Sequence, residues 1–455
     1  MAHNYQRAKL RGKSFKGQDL TGADFSYSDI RGADFTGAFL KGANFSHAKA
    51  GLQRRWVIAT VIIAFLLSAI SGLLSATGGS LIGCILANGN RENTYVAAVT
   101  LTVLFVFFLI TMRQGVSAAF GFLAVAVIWT AVAGVTWAGI VAVAWAKAGT
   151  QAGIMELATV VAVVVTGAIA AIAAATGVVL IAGAAAIAGA VAGLLAVAVT
   201  VSVAGAVAGI GVVAAVKIGG SIVGSLAGAI AVLTIFLAAD VGCRALFEDE
   251  RQIWVRNVAL DFVSARGTNF QGSHLTDANF TQARLKNANF NKSILTRTCW
   301  FRAKMMNWAD VRTTYLEDKN LRQLLVTKDL QGKTFDGWDL QGINLQGANL
   351  KDASFITAKL NESNLQGADL SRANLTGAQL DKTDLRGATL TGTYIGNWCI
   401  TPDTKLDGVH CDYIFLYVPT KDNPNPHRLP ANWDAMFKDG EFTQLMTPLR
   451  NLSKI

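Results

Sequence analysis

The residues best suited to metal chemistry in this sequence are Cys399, His410 and Cys411. Thiolate and imidazole groups could ligate zinc, but this spacing matches none of the patterns typical of structural zinc sites. The five cysteines of the chain are widely spaced and odd in number, which argues against a disulfide framework. We therefore expect no metal site and no structural disulfides.

A second candidate for chemistry is Gly209-x-Gly211-x-x-Ala214, which has the spacing of a dinucleotide-binding loop. It lies in an uncharged apolar stretch, without the strand–helix–strand context or the acidic residue that such a loop requires, so we interpret it as helix packing. Asp and Asn residues recur at regular intervals in the polar parts of the chain, a pattern that favours backbone hydrogen bonding over acid–base catalysis. The sequence predicts no catalytic residue and no cofactor.

Apolar residues are concentrated in one part of the chain. They make up 52% of the sequence, against 15% charged residues, and few charges fall between residues 57 and 239. Arg113, Glu156 and Lys217 are among those few. Charges inside a membrane can mark a transport pathway, but each of these lies where an apolar run begins or ends. We interpret them as marking helix ends in a membrane protein that has polar segments on both sides of its apolar region.

The formal net charge of +10 raises the question of nucleic-acid binding. Many of the basic residues, however, precede the first apolar run, and Arg54 and Arg55 stand directly before it. Cations at this position hold a chain end on the cytoplasmic side and attract anionic lipid. The charge therefore favours membrane lipid as a partner and argues against nucleic acid.

The apolar region is long enough for about six membrane spans, since one span needs ~20 apolar residues. A third run covers Val116 to Ala146, and the uncharged block at 157–216 would hold two spans with a turn near Gly183 to Gly189. Small residues at a spacing of four let helix backbones approach closely in lipid. The glycines expected to form such packing rows are Gly189, Gly193, Gly205, Gly209, Gly220, Gly224 and Gly228.

Outside the apolar region, a large apolar residue recurs at every fifth position, most clearly from Leu325 to Ile400. A period of five fits neither helix nor strand, but it fits a short extended run followed by a corner. A small residue two positions before each centre leaves room in a narrow interior, and four units would close one coil. The aromatic centres expected in the core are Phe15, Phe25, Phe35, Phe45, Phe270, Phe280, Phe290, Phe335 and Phe355.

This pattern resembles the pentapeptide-repeat family, whose A-(D/N)-L-x-x units wind into a right-handed quadrilateral β-helix. The resemblance covers Leu10 to Phe45, Leu260 to Trp300 and Leu325 to Ile400, and the sequence from Asn307 through Lys405 is similar to cyanobacterial members. With the apolar region, it implies a mixed fold: this β-helix plus an α-helical transmembrane bundle inserted between repeat segments.

Changes in pattern divide the chain into six segments. They are N-terminal repeats at 1–50, the transmembrane bundle at 51–243, repeats at 244–302, a loop or short helix at 303–324, repeats at 325–400, and a proline-containing cap at 401–455 that forms no further coil. Two coils are marginal alone, so we expect residues 8–47 to stack on the coil that follows the bundle, with Ala50 completing one wall and Leu260 opening the next. An even number of spans would place both repeat segments on one side of the membrane.

These features favour a membrane-anchored scaffold, without catalysis, that docks a partner protein. Its expected place is the plasma or thylakoid membrane of a cyanobacterium, with the repeats facing the cytoplasm. The alternative is a transporter, a channel or, by analogy with cyanobacterial members, a glycolipid-export accessory whose Gly/Ala-rich helices form the pathway. A membrane-bound enzyme is a third hypothesis. The sequence leaves open the identity of the partner and whether the chain forms a homo-oligomer through its Gly/Ala-rich helices.

Overall fold

The computed structural model describes residues 3–87, 91–128, 152–192, 194–247, 249–419, 421 and 427–452. The chain forms two compact units, one made of Met1–Gln53 and Arg266–Ile455 and the other of Arg54–Ala265. The first unit contains the repeats and the second contains the apolar helices. The helical unit therefore interrupts the repeat unit in sequence.

The repeat unit is a coil with four walls. Single-residue parallel β-bridges join positions one turn of the coil apart, such as Lys9 with Asp29 and Ser14 with Asp34. The N–H of Leu10 donates to the carbonyl of Asp29 at 2.9 Å, and equivalent bonds follow along each wall. Each five-residue unit thus contributes one extended position to a wall and one turn to a corner, which gives the quadrilateral β-helix.

Left-handed backbone at the corners explains the recurring glycine. Gly17 has a φ of 66°, a conformation that costs glycine little and other residues more. Where another residue takes the corner, as Tyr27 does with a φ of 58°, side-chain bonding holds the turn: Asp24 Oδ1 accepts the N–H of Ser26 at 2.8 Å. The five-residue period is set by this alternation of wall and corner.

Aromatic rings fill much of the coil interior. The rings of Phe15 and Phe35 stack at 5.0 Å, and Phe35 stacks on Phe270 at the same centroid distance. Rings on neighbouring walls meet edge to face, as those of Phe35 and Phe45 do at 5.7 Å. The nine phenylalanines named above as core residues are all at most 3% exposed. Like rings therefore stack on like rings from one coil to the next.

The helical unit contains long apolar helices. The helices of its described residues are α1 (Arg54–Ala87), α2 (Arg91–Gln114), α3 (Val116–Ile128), α4 (Ala152–Ala192), α5 (Leu194–Leu246) and α6 (Ile253–Ser264), with a 3-10 turn at Glu250–Gln252. Within the described residues, five stretches are long and apolar enough to cross a membrane, with mean hydropathies of 2.1 to 2.6. The sixth predicted span corresponds to 116–146, of which α3 covers the start and 129–146 lie outside the described residues.

Helix α5 breaks at Gly220, where φ is 80° and ψ is −174°. This break separates two candidate spans, Ala196–Lys217 and Val223–Leu246. The predicted turn near Gly183 to Gly189 is wrong, because α4 runs straight through it. A glycine inside a helix costs only about 1 kcal/mol relative to alanine, and neighbouring apolar residues continue the helix on both sides.

The N-terminal coils continue directly into the coil that follows the helical unit. Asp34 forms a parallel bridge with Asn269, and three further bridges extend this pairing along the next walls. The predicted stacking of residues 8–47 on the later coil is thus confirmed. The N–H of Gly51 donates to Thr268 Oγ1 at 2.8 Å, so the points where the chain leaves and rejoins the coil lie side by side.

The predicted point of re-entry is wrong. Leu260 does not open a wall but lies in α6, where it is buried together with Val263. This three-residue spacing is that of an amphipathic helix, so Leu260 is helical although it also falls on the five-residue numbering. Ala265 ends α6, and Asn269 is the first bridged residue after it. The repeats therefore begin near residue 268 rather than at 244.

A short helix separates the two repeat segments that follow the helical unit. Bridging continues as far as Asp310, beyond the predicted boundary at 302, and after two 3-10 turns α7 spans Lys319–Thr327. Its N-terminus is capped by the side chain of Asp318. Leu325, predicted as a repeat centre, is a buried residue of α7, and bridging resumes at Asp329. One core cluster nonetheless includes residues from both segments.

The coil continues past Ile400. Lys405 bridges Asp384 and His410 bridges Thr389, each with one residue more than the usual spacing. The prediction that the chain from residue 401 onward forms no further coil is therefore wrong. Pro402 does not prevent this continuation, because it lies in a turn, where proline's fixed φ is tolerated.

A small sheet and a helix close this end of the coil. Strand β1 (Thr393–Tyr394) pairs in parallel with β2 (Ile414–Phe415), and β2 pairs antiparallel with β3 (Arg428–Leu429). Helix α8 (Glu441–Leu452) buries Phe442 and Met446 in the same core as the repeats. These elements cover coil edges that would otherwise expose apolar side chains and unpaired backbone groups.

Candidate docking surfaces of the repeat unit

The outer face of each wall is a ladder of the residues that precede the core centres. One such ladder contains Phe39, His274 and Ile294, joined by successive bridges, and we call it the apolar ladder. The rings of Phe39 and His274 stack at 4.9 Å. Phe39 is 49% exposed and Ile294 is 44% exposed. This wall therefore presents two large apolar side chains to solvent, with the His274 ring on the coil between them.

A second wall is strongly basic. Its ladder of successive bridges and the residues beside it comprise Lys9, Arg11, Asp29, Arg31, Lys49, Arg284, Lys286 and Lys304, which we call the basic wall. Seven of these side chains are cationic and one is anionic. The wall combines residues from both sides of the helical segment, so its charge arises only when the coil is assembled.

The one carboxylate of the basic wall is paired within the wall. Asp29 accepts bonds from Arg11 Nε at 2.7 Å and from Arg31 Nη2 at 2.7 Å. Burial alone would raise its pKa, but the hydrogen bonds from Arg31 and Arg11 lower the pKa of Asp29 to about 2. This carboxylate is therefore ionised under all ordinary conditions and is already engaged.

The remaining cations stack on one another. Lys49 pairs with Arg284, and Arg284 pairs with Lys304, in consecutive bridges. Like charges placed directly opposite across strands are destabilising. Burial lowers the pKa of Lys286, and the charge of the adjacent Arg284 lowers it further. Lys49, Arg284 and Lys304 are thus three like charges in consecutive bridges, which an external anion would stabilise.

A polar cleft of about 340 Å³ lies where the repeat is interrupted. Lys328 is only 9% exposed there, and its Nζ donates to the carbonyl of Gln346 at 2.6 Å. Its ammonium lies 5.4 Å from the centre of the Phe301 ring, and burial lowers its pKa. Arg297 pairs with Asp277 through Nε at 2.6 Å. Lys328 and Arg297 are thus both paired within the protein, which makes the cleft a structural junction.

The glycines predicted to pack helices have different surroundings. A Cβ added at Gly189 would meet the side chain of Leu246, whereas Gly209 has open space around it. A Cβ at Gly205 would be 3.9 Å from Ile235, an ordinary contact. Gly228 likewise has only ordinary contacts. Among these four, Gly189 alone is placed where a side chain could not fit without movement.

The predicted row around Gly220 is not a continuous helix face. Gly220 is the break in α5, and Gly224 faces Val216 of the same helix across that break. Gly193 lies outside the described residues. The row therefore shapes α5 itself, whereas the prediction had assigned it to packing between helices.

Sequence reasoning missed the glycines of α1. A Cβ on Gly79 would lie 2.6 Å from Ala227 Cα, and one on Gly83 would lie 2.8 Å from Val223 Cα. Both neighbours are backbone atoms of α5. The spacing of four between Gly79 and Gly83 was a usable signal, but it was hidden among many other glycines.

The residues that the sequence offered as candidates for a metal, cofactor or transport site do not lie together in one site. Cys399 bridges Gln379, while His410 bridges Thr389 on another wall. The Cys411 thiol is buried, and burial raises its pKa to about 12. The Gly209-x-Gly211-x-x-Ala214 segment is part of α5. Arg113 and Lys217 are exposed, Arg113 near the end of α2 and Lys217 beside the break in α5; Glu156 is in α4, and its side chain is outside the described part.

Comparison with protein families identifies the repeats. The family model for pentapeptide repeats matches eight copies, at residues 6–37, 29–50, 260–299, 339–377 and 353–392. Comparison with the curated proteins finds no match.

Solved structures similar to the chain are also pentapeptide-repeat proteins. One from Nostoc PCC 7120 has 26% identity, with 18% of this chain and 84% of that chain covered and a TM-score of 0.16. One from the cyanobacterium Cyanothece 51142 has 28% identity, 30% and 60% coverage and a TM-score of 0.12. A third, involved in heterocyst differentiation regulation in Nostoc sp. strain PCC 7120, has 22% identity, 35% and 61% coverage and a TM-score of 0.13. Each similarity is confined to part of this chain.

Proposed function

We propose that this chain, whose repeat segments belong to the pentapeptide-repeat family, is a membrane-anchored scaffold that docks a partner protein. The repeat unit supplies the docking surface, and the apolar helices supply the anchor. Pentapeptide-repeat proteins are mostly structural or interaction proteins, which supports a role without catalysis. The proposed location is the plasma or thylakoid membrane of a cyanobacterium, with the repeats facing the cytoplasm.

The observation that carries the proposal is the apolar ladder. Phe39 and Ile294 are large apolar side chains that remain 49% and 44% exposed on a wall whose other outward positions are polar. Exposed apolar side chains grouped on a fixed surface are typical of sites where another protein binds. A partner would bury both side chains together with the His274 ring that stacks between the coils.

The rigidity of the wall supports the same role. Phe39 N–H donates to the Gln18 carbonyl at 2.9 Å, and Leu40 N–H donates to the His274 carbonyl at 2.8 Å. Because the backbone beneath the ladder is bonded on both sides, little conformational entropy is lost when a partner binds. Preorganised surfaces of this kind suit a scaffold.

The pairing of the two repeat segments constrains how the helices cross a membrane. Residues 34–49 bridge residues 269–284, so both segments must be on the same side of any membrane. The number of crossings between Arg54 and Ala265 must then be even. Five candidate spans lie in the described residues, so either one more crossing exists or one of these helices does not cross.

The test combines two variants with the same charge change. In the first, Phe39→Asp and Ile294→Asp place carboxylates on the apolar ladder. In the control, Ser14→Asp and Asn289→Asp occupy the equivalent repeat positions on another wall. Proteins bound to the full-length chain would be captured from its native membranes in mild detergent and quantified.

We expect the first variant to lose a partner that the wild type and the control retain. Loss of central apolar contacts of about 2 kcal/mol corresponds to a drop of roughly 30-fold in affinity. Equal capture of every partner by both variants would contradict the proposed docking wall.

A further inference from the structure

The basic wall carries seven cations and one carboxylate, and its charge is not accounted for by the docking role. Lys49, Arg284 and Lys304 occupy successive coils in direct bridges. Adjacent strands are about 4.8 Å apart, so the backbone places these three cations in neighbouring positions. Such an arrangement is costly unless anions bind between the cations.

No side chain within the wall supplies that counter-charge. Asp29 is engaged by Arg11 and Arg31. Within the residues that the structure describes, Lys49, Arg284 and Lys304 form no ion pair with an acidic side chain. The wall is therefore suited to a ligand that carries several negative charges spread over a surface.

The position of the wall in the chain indicates which surface that is. Gly51 ends the basic ladder of the first coils, and the long apolar helix α1 begins at Arg54. The N–H of Gly51 donates to Oγ1 of Thr268, which directly precedes Asn269 on the neighbouring wall, so the chain returns at the corner next to the basic wall. Both chain connections to the apolar helices thus leave from the coil level at which Lys49 and Arg284 pair. The basic wall therefore adjoins, along the chain, both connections to the proposed membrane anchor, which favours a lipid surface as its ligand.

We propose that the basic wall binds the phosphate groups of anionic phospholipids at the membrane surface. This inference rests on the membrane anchorage in the proposed function. A cation close to an anionic bilayer contributes about 1 kcal/mol, equivalent to roughly fivefold in affinity, and the effect falls off within about one Debye length. Several cations on one wall can act together on such a surface.

The test uses lysine reactivity in the full-length protein. The chain would be placed in nanodiscs of phosphatidylcholine alone or with phosphatidylglycerol, and acetylated briefly with a neutral amine reagent. Lys9, Lys49 and Lys304 are exposed lysines of the basic wall. The exposed internal controls, which lie away from the basic ladder, are Lys16, Lys41 and Lys292.

Phosphatidylglycerol should lower the acetylation rate of the three wall lysines about fivefold and leave the control lysines within twofold. Inorganic phosphate added to phosphatidylcholine discs should not reproduce this protection, since it offers no surface. Raising the salt concentration should remove the protection, because these charges are exposed.

Matched variants assign the effect to the wall. In the triple variant Lys49→Gln, Arg284→Gln, Lys304→Gln, the protection of Lys9 by phosphatidylglycerol should disappear. The control variant Lys16→Gln, Lys41→Gln, Lys292→Gln has the same change in net charge and should keep it. Far-ultraviolet circular dichroism and thermal melting would verify that both variants are folded.

Three outcomes would overturn the inference. Equal acetylation of wall lysines in both types of disc would show that anionic lipid does not bind there. Protection by soluble polyglutamate but not by phosphatidylglycerol would assign the wall to an acidic protein instead. In either case, loss of a partner in the apolar-ladder variant would leave the scaffold proposal standing. Failure of the chain to insert into nanodiscs would overturn both proposals.

Discussion

Replacing Phe270 by alanine should loosen the N-terminal coils selectively. Phe270 is fully buried, and its ring stacks at 5.0 Å on Phe35 below it and on Phe290 above it. It also meets Phe45 and Phe280 edge to face. It is therefore the ring through which the coils on either side of the helical segment share one core.

The size of the effect follows from burial and stacking. Truncation of a buried phenylalanine costs about 3–5 kcal/mol, and each aromatic pair adds roughly 0.5–1.5 kcal/mol beyond its buried area. Because 1.4 kcal/mol corresponds to a factor of ten, opening of the adjacent strand should become about 100-fold to 4,000-fold more frequent. The coils above Phe290 keep their own stacked rings and should respond less.

Hydrogen exchange measures this opening directly. The amide of Phe35 donates to the Asn269 carbonyl at 2.6 Å, and that of Leu40 donates to the His274 carbonyl at 2.8 Å. Both amides should exchange faster in Phe270→Ala by the factor above. In the control Phe355→Ala, which removes a fully buried ring of the later repeats, they should exchange as in the wild type. Unchanged exchange in Phe270→Ala, or equal acceleration by the control, would refute a shared core.

Three further predictions concern charge, helix packing and topology. Asp29→Asn should lower the free energy of unfolding by roughly 1–2 kcal/mol at neutral pH and make it depend less on pH in the acid range. A carboxylate with a lowered pKa stabilises the fold above about pH 4 and loses that contribution as the pH falls towards 2. An unchanged dependence of unfolding on pH would count against the pairing of Asp29. Gly79→Ala should lower the melting temperature by an amount equivalent to about 1–3 kcal/mol. Its control, Gly209→Ala, has open space at the added Cβ and should be neutral or slightly stabilising. Equal effects of the two substitutions would exclude close packing at Gly79. A membrane-impermeant thiol reagent applied to intact cells should label neither Thr21→Cys nor Lys333→Cys, and labelling of one alone would contradict the pairing of the two segments.

Several features of the repeat unit could be predicted from the sequence because the narrow coil interior accepts only certain residue types at each position. A narrow interior accepts one large apolar residue per wall and a small residue two positions earlier, so Phe15, Phe25 and Phe35 could be assigned to the core without a structure. The marginal stability of two isolated coils also predicted that residues 8–47 stack on the coil after the helical segment, but not which residues pair there.

The boundaries could not be read in this way. Leu260 and Leu325 fall on the five-residue numbering, but both are buried residues of helices α6 and α7. The capping side chain of Asp318 and the spacing of Leu321, Leu324 and Leu325 were local signals for α7. Over short segments, apolar residues spaced by five can also fit a helical period, so the repeat pattern did not distinguish helices α6 and α7 from further repeats.

The basic wall and the packing glycines depend on contacts between distant parts of the chain. Lys49 and Arg284 become neighbours only because the coil resumes near residue 268, and the predicted resumption at Leu260 would have paired different residues. Gly79 is sterically constrained because Ala227 of α5 lies against it, and Gly209 carries no such neighbour. The spacing of glycines in the sequence shows that they lie on one face of a helix. Whether a larger residue would fit there depends on the residue of the other helix that packs against that face.

A disulfide across the junction tests most directly the central claim, that the helical segment is inserted into one continuous coil. Asp34 and Asn269 form a parallel bridge, and paired strands bring Cα atoms within the 4.4–6.8 Å range, roughly, that a disulfide spans. The double variant Asp34→Cys, Asn269→Cys should therefore form an intramolecular disulfide in the native protein, detectable as a cross-linked peptide by non-reducing mass spectrometry. The control Asp34→Cys, Asn289→Cys, whose positions are two coils apart, should not form it. Absence of the disulfide in the first variant, or equal formation in both, would contradict a single continuous coil.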